Sequence, residues 1–259
     1  MPAEPPRAAG KNMMSGLDNM NKQQFLEGIR DGVPICLGYF SVSLAIGLSA
    51  VLAGMPLWST VLISLTNLTS AGQVAGINLL VANASLVELA LTTLIINIRY
   101  FLMSLSVSQK VESRMTLKER MIVSFGITDE IFAVSMQRRG ELTSLYMLGL
   151  ILTPLIGWTG GTLVGAVASS FMPAQITSAL GIALYGMFIA IIIHPAREHK
   201  NVLITVILAV LASLAFTYLP LLKNLSGGWS IIIITIAVSA LAAWLFPVKN
   251  AAEEVSENE

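Results

Sequence analysis

Residues 57–81 read LWSTVLISLTNLTSAGQVAGINLLV. Both ends are apolar enough for hydrocarbon. The middle, Thr66-Asn67-Leu68-Thr69-Ser70-Ala71-Gly72-Gln73, is polar and helix-weakening. Lipid offers no hydrogen bonds, so these groups must face protein or a water-filled cavity. The stretch predicts a broken helix in a membrane protein, with its second half beginning near Ser70. Free backbone N–H groups at Gly72 and Gln73 would then stand at the positive end of a helix dipole, where a carboxylate can dock. The other reading is a kinked packing helix, because Gly72 and Gly76 form a GxxxG pair.

Composition places the whole chain in the same setting. Of its 259 residues, 55% are hydrophobic and 12% charged, against about 25% charged in a soluble domain. Lys+Arg and Asp+Glu are 15 each, so there is no basic field for nucleic acid. Residues 33–109 hold only Glu88 and Arg99 as ionic groups. The lone Cys36 can make no internal disulfide and reads as a small buried hydrophobe. Residues 1–24 are polar and carry no signal-peptide core.

A crossing helix needs roughly 20 apolar residues. Stretches 33–54, 57–81, 86–107, 142–168, 174–193, 202–222 and 229–247 reach that length. An eighth, 121–137, is short and carries Asp129 and Glu130 at its centre. The expected class is therefore an all-α membrane protein of about seven transmembrane helices. Its parts are a polar segment 1–32, a three-helix unit 33–107, a charged connector 108–141, a second three-helix unit 142–222, a final helix 223–249 and an acidic tail 250–259. Met55-Pro56 and Met172-Pro173 close corresponding spans, which suggests a repeat. If 121–137 does not cross, the two units face opposite ways, an arrangement common in secondary transporters.

Positive charge tests the topology. Lys110, Arg114, Lys118, Arg120, Arg138, Arg139, Arg197 and Lys200 lie in the breaks, and none lies near 55 or 172. Placing these breaks in the cytoplasm makes 121–137 enter and leave by one side, and leaves Lys22 and Arg30 outside. If 57–81 is instead a re-entrant hairpin, the N-terminus returns to the cytoplasm. Seven spans with inverted units is the arrangement expected here.

Arg99 lies far inside span 86–107, too deep to reach water easily, and needs an anion: Asp129, Glu130 or a bound substrate. Asn97 is beside it. Glu88 shares the Arg99 face but is too distant to pair. Of Asp129 and Glu130, one can neutralise Arg99, and the other is a candidate proton carrier because desolvation favours the neutral acid. The alternative is that both acids lie in water at the interface. Gly157, Gly161 and Gly165 make a stripe for close helix contact. Trp58, Trp158, Trp229 and Trp244 read as interface anchors. His194 and His199 do not share a helix face, so no metal site is expected. No nucleophile–base set or phosphate-binding loop is present, which argues against an enzyme.

The order Ala71-Gly72-Gln73, Asn97-Ile98-Arg99 and Thr128-Asp129-Glu130-Ile131-Phe132-Ala133 resembles the AzlC-type family, the large subunits of branched-chain amino acid exporters. The likeness runs from Phe25 to the last span. It implies export of Val, Leu, Ile or Met driven by protons, across the inner (cytoplasmic) membrane of the cell. It also implies a small AzlD-type membrane subunit as partner and no cofactor. A zwitterion needs a carboxylate site, for which the Gly72 and Gln73 N–H groups and Arg99 are candidates, with Ser70 and Asn97 as further substrate-binding candidates. It needs an ammonium site, for which Asp129, Glu130 and the hydroxyls and carbonyls of residues 66–70 are candidates; Asp129 and Glu130 are also the candidates for proton coupling. It also needs an apolar pocket, which Met103, Phe40 or Phe132 could line. The competing classes are a channel or carrier for another small solute and a non-transporting membrane scaffold.

Overall fold

The computed structural model describes residues 7–171, 195–219 and 225–247, with single positions or short runs between 182 and 193 and residue 222. Side chains are described from residue 19 onward. The helices are α1 (Arg7–Leu52), α2 (Leu57–Thr66), α3 (Ser70–Val81), α4 (Leu86–Ser108), α5 (Leu117–Phe125), α6 (Asp129–Gln137), α7 (Ser144–Ala168), α8 (Lys200–Tyr218) and α9 (Gly227–Leu245). Among the described residues, five helices are long and apolar enough to cross a membrane: α1 from Asn19 onward, α4, α7, α8 and α9. The chain is an all-α membrane protein, and its second apolar stretch is a broken helix, as expected. The expected span 174–193, Met172-Pro173 and His194 lie wholly or largely outside the described residues.

The chain divides into two compact units. The first holds Met1–Gln73 and Asn97–Thr177. Its centre is the packing of α1 on α7, which small residues bring almost into backbone contact. A methyl group at Gly157 would stand 2.5 Å from the Cys36 carbonyl, and one at Gly165 2.0 Å from that of Leu44. On the facing side, a methyl at Gly28 would stand 2.1 Å from the Tyr146 carbonyl. Lipid tails are as apolar as leucine, so helices in a bilayer associate through such close packing rather than by excluding water. The expected glycine stripe is therefore a contact face, and its partner is α1. Below it Ile35, Val107, Met115, Val123, Ile131, Leu142 and Tyr146 form one buried cluster.

The matched residues rise together along both helices: Phe25 with Gly149, Cys36 with Gly157, Phe40 with Gly161, Leu44 with Gly165. The two helices thus run parallel. The end of α4 meets the start of α7, since the Glu112 amide donates to the Leu142 carbonyl at 3.0 Å and that of Leu142 to Lys110 at 2.9 Å. The Lys110 ammonium also donates to the Ser135 and Met136 carbonyls at the end of α6, at 3.2 and 2.7 Å. The α5–α6 pair therefore returns to the side it left, which is the expected behaviour of 121–137. At its mouth Thr116 and Glu119 form a capping box, whose bonds from the Thr116 hydroxyl and amide hold the Glu119 carboxyl below its ordinary range.

The direction of the second stretch differs from expectation. Within the first unit, α1 runs parallel to α7 while α4 from Asn97 onward runs toward the start of α7, so these two stretches run in opposite directions. Segment 57–81 is then a re-entrant hairpin rather than a crossing. Its own bonding agrees, for Gln73 of α3 donates to Ser64 of α2 at 2.5 Å, which a straight broken helix could not allow. The units 33–107 and 142–222 are accordingly not inverted at their first helices. What does recur in opposite directions is a shorter motif: one long helix followed by one hairpin, over α1–α3 and again over α4–α6. Each hairpin breaks at three residues that end in threonine, Asn67-Leu68-Thr69 and Gly126-Ile127-Thr128.

The second unit holds Val74–Ile96 and Ser178–Glu259. In it α8 packs on α9, and buried Glu88 of α4 accepts from the Ser226 hydroxyl and, at 3.0 Å, from the Gly228 amide at the start of α9. A carboxylate is favoured at that positive helix end, which explains how Glu88 is tolerated without Arg99.

Candidate functional site

The first hairpin tip is built on Thr69, the residue before α3. Its hydroxyl accepts from the Gly72 amide at 3.1 Å and donates to the Asn97 side-chain oxygen at 2.9 Å, while its carbonyl accepts from the Gln73 amide at 2.9 Å. The Gly72 and Gln73 N–H groups are therefore occupied rather than free. The helix begins at Ser70 as expected, with Thr69 as its cap, whose side chain and carbonyl satisfy the third and fourth amides. The open donors are the preceding two: among the described residues, nothing accepts from the Ser70 or Ala71 amide. Gly72 has a packing reason as well, because a methyl there would stand 2.9 Å from the Asn97 amide nitrogen.

Gln73 is fully buried and spent on structure. It donates to Ser64, which shares a hydrogen bond with Thr162 at 2.7 Å, and it accepts from the Trp158 indole at 3.0 Å. The same indole nitrogen donates to the Asn67 carbonyl in the break at 3.2 Å. Trp158 is thus a buried clasp on the hairpin rather than an interface anchor, whereas Trp58 and Trp244 are well exposed.

At the second tip, the Thr128 hydroxyl caps α6 by accepting from the Ile131 amide. Asp129, rather than its neighbour Glu130, pairs with Arg99 at 2.8 Å. Glu130 accepts from the Tyr39 hydroxyl at 2.5 Å, and the Tyr39 oxygen lies 2.7 Å from the Thr128 hydroxyl, which can donate to it. The neighbouring acids point to different partners, as adjacent helical residues must. Arg99 and Asp129 remain 50% and 39% exposed at membrane depth. A charge there is costly unless it faces protein or water, so this pair borders a hydrated or covered space.

These contacts form a chain whose two ends are joined only through the backbone of α4 between Asn97 and Arg99. Tyr39 stacks edge-on against Trp158 with ring centres 5.4 Å apart. The circuit runs from Trp158 to Asn67 and Gln73, through Thr69 to Asn97, two residues along α4 to Arg99, then to Asp129, Glu130 and back to Tyr39. All of it belongs to the first unit. The two tips differ in charge: α3 has no acid in its first turn, whereas α6 has Asp129 and Glu130. With both acids ionised, the circuit holds one negative charge beyond the balance of Arg99.

The sequence left Tyr39, Ser64, Trp158 and Thr162 without a place in this site, and had Thr69 only among the polar groups of residues 66–70. Only the threonine ending each break carried a local signal, as a cap before a helix. A separate cavity of about 220 Å³ lies between α4 and α5, and neither Met103, Phe40 nor Phe132 lines it. Among the described residues, no cluster of His, Cys, Asp and Glu could hold a metal ion.

Comparison with known proteins finds relatives among membrane proteins. The inner membrane protein YgaZ of Escherichia coli (strain K12) is 27% identical over 70% of this chain and 77% of its own length. An uncharacterized membrane protein of Archaeoglobus fulgidus is 29% identical over 65% and 74%. One from Helicobacter pylori is 24% identical over 86% and 96%. No solved structure matches. The family model described as AzlC protein matches residues 34–172, which contain both hairpins and every residue of the circuit. The chain therefore belongs to the AzlC family, as a membrane protein of transporter type.

Proposed function

We propose that this protein is the large subunit of a two-component exporter for apolar amino acids (Val, Leu, Ile or Met), coupled to protons. The supporting observation is the pairing of two unlike hairpin tips in one circuit. The α3 tip offers the Ser70 and Ala71 amides at a positive helix end, suited to a carboxylate. The α6 tip offers an excess negative charge centred on Glu130, suited to an ammonium group or a proton. A zwitterion matches both. Asn97 and Arg99 border its path, Gly72 and Gln73 hold the tip in shape, and Asp129 keeps Arg99 neutralised. Re-entrant half-helices that point their ends at a buried site recur in transporters that work by alternating access.

The orientation follows from charge. The start of α1 and the 109–116 and 138–143 segments share a side, with Lys22, Arg30, Lys110, Arg114, Arg138 and Arg139. The turns at 53–56, 82–85 and 169–171 have no Lys or Arg. The basic side is the cytoplasmic one, in the inner membrane. A small AzlD-type subunit is the expected partner.

The test loads cells with dipeptides containing Val, Leu, Ile or Met and follows amino acid efflux. The chain is expressed alone and with an AzlD-type subunit. Partner-dependent efflux of at least one of the four is the expected result. No efflux in either case, with the chain confirmed in the membrane, would overturn the reading in favour of another solute or a scaffold.

A further inference from the structure

The cavity between α4 and α5 is separate from the circuit. We propose that it is a second substrate subsite, which receives the apolar side chain of the amino acid on the basic side before the molecule reaches the hairpin tips. This rests on the exporter reading above. The cavity measures about 220 Å³ and is lined by Ser104, Val107 and Val111 on one side and Val123, Ser124 and Ile127 on the other, with Arg120 beside them. Small serines face it where a larger side chain would fill the gap. A dry cavity of about 150 Å³ lined by aliphatic groups holds a benzene ring, so this one has room for any aliphatic side chain and for Met.

Its charge suits the other end of the molecule. The Arg120 Nε donates to the Met115 carbonyl at 3.2 Å, and its two terminal nitrogens have no acceptor among the described residues. They are free to hold a carboxylate. The lining of the cavity adjoins the circuit in sequence. Ile127 precedes Thr128 of the second tip, and Ser104 follows Arg99 by five residues on α4, about 7.5 Å along a helix. The ligand class is thus a zwitterion with an apolar side chain. Most of the lining is aliphatic, so a polar side chain would lose its water there for at most a serine hydroxyl in return.

The test uses the full chain with its small subunit, reconstituted in liposomes, and measures KM and kcat for Val, Leu and Met. Ser104→Leu and Ser124→Leu, which fill the cavity, should raise KM for Leu and Met by about tenfold or more and that for Val by less. Arg120→Gln should raise KM for all three alike, and Arg120→Lys should restore part of it. Met121→Ala enlarges the same cavity from an exposed position and should shift preference towards Met, which decides the matter if the filled variants do not accumulate. An unchanged Val:Leu:Met ratio in the variants that do accumulate would overturn the subsite and assign the cavity to a lipid tail. If the unmodified complex moves none of the three while moving another solute, the exporter reading falls first and the subsite with it.

Discussion

Arg99 shows how a single residue ties the fold to the function. An unpaired cation at the centre of a crossing helix costs about 2.5–3.5 kcal/mol on insertion scales, and its only carboxylate partner among the described residues is Asp129 at 2.8 Å. Arg99→Ala should therefore abolish export and reduce the amount of protein in the membrane. Adding Asp129→Ala should restore part of that amount, because it removes the orphaned acid, whereas adding Glu130→Ala should not. Immunoblots of membrane fractions read both; equal rescue by the two double variants would mean that the pair is not specific. Glu130 has a different expectation. Glu130→Gln should leave the protein folded and exchange intact but flatten the dependence of export on pH, and Tyr39→Phe should do the same in part by removing the 2.5 Å donor. Unaltered pH profiles in both would exclude Glu130 as the proton carrier. Arg99, Asp129 and Glu130 were legible in the sequence because charge stands out in an apolar run. Tyr39 and Trp158 were not, since their bonds span 91 and 85 residues and nothing local distinguishes them from ordinary aromatics.

At the scale of elements, the same backbone approach that makes α1 and α7 one body makes it sensitive to a single methyl. Gly165→Ala or Gly157→Ala places a carbon within 2.0 or 2.5 Å of a carbonyl of α1. Each should lower thermal stability in detergent, by about 1–3 kcal/mol as overpacking does. Gly160→Ala, on the same helix but with nothing within 4 Å, should be neutral or slightly stabilising. Equal effects at all three positions would mean that helix propensity rather than contact controls the outcome. The hairpin has its own weak point in the Trp158 indole. Trp158→Phe preserves the stacking on Tyr39 but leaves the Gln73 oxygen and the Asn67 carbonyl short of a donor. A buried unsatisfied acceptor costs about 1–3 kcal/mol, so the variant should expose residues near 67–73 to hydrogen exchange while α8 and α9 stay protected. Both features were half visible in the sequence: GxxxG spacing marks a contact face without naming its partner, and the polar run at 66–73 marks a break without saying what fastens it.

For the whole molecule, the undetermined quantity was direction, because a re-entrant hairpin and a tilted crossing can be written with the same 25 residues. Hydropathy measures only whether a segment is soluble in lipid, and 57–81 is so either way. Direction depends on contacts between segments far apart, here α1 on α7 and Lys110 on the end of α6. The outcome also satisfies the positive-inside rule better than the arrangement favoured by the sequence, because Lys22 and Arg30 rejoin the other basic residues. Single cysteines in a Cys36→Ser background test it directly. Gly54→Cys, Asn83→Cys and Ser170→Cys should all react with an impermeant thiol reagent added outside intact cells. Arg114→Cys and Gly140→Cys should react only after permeabilisation. Positions 54 and 83 carry the decision, since they flank the first hairpin. If they label from opposite sides, α2 and α3 together cross the membrane, the parity of the chain fails at α4, and the two tips cannot meet in one circuit. If they label together from outside, the hairpins enter from opposite faces, and the excess charge at Glu130 and the open amides at Ser70 and Ala71 become the two ends of a single site within the membrane.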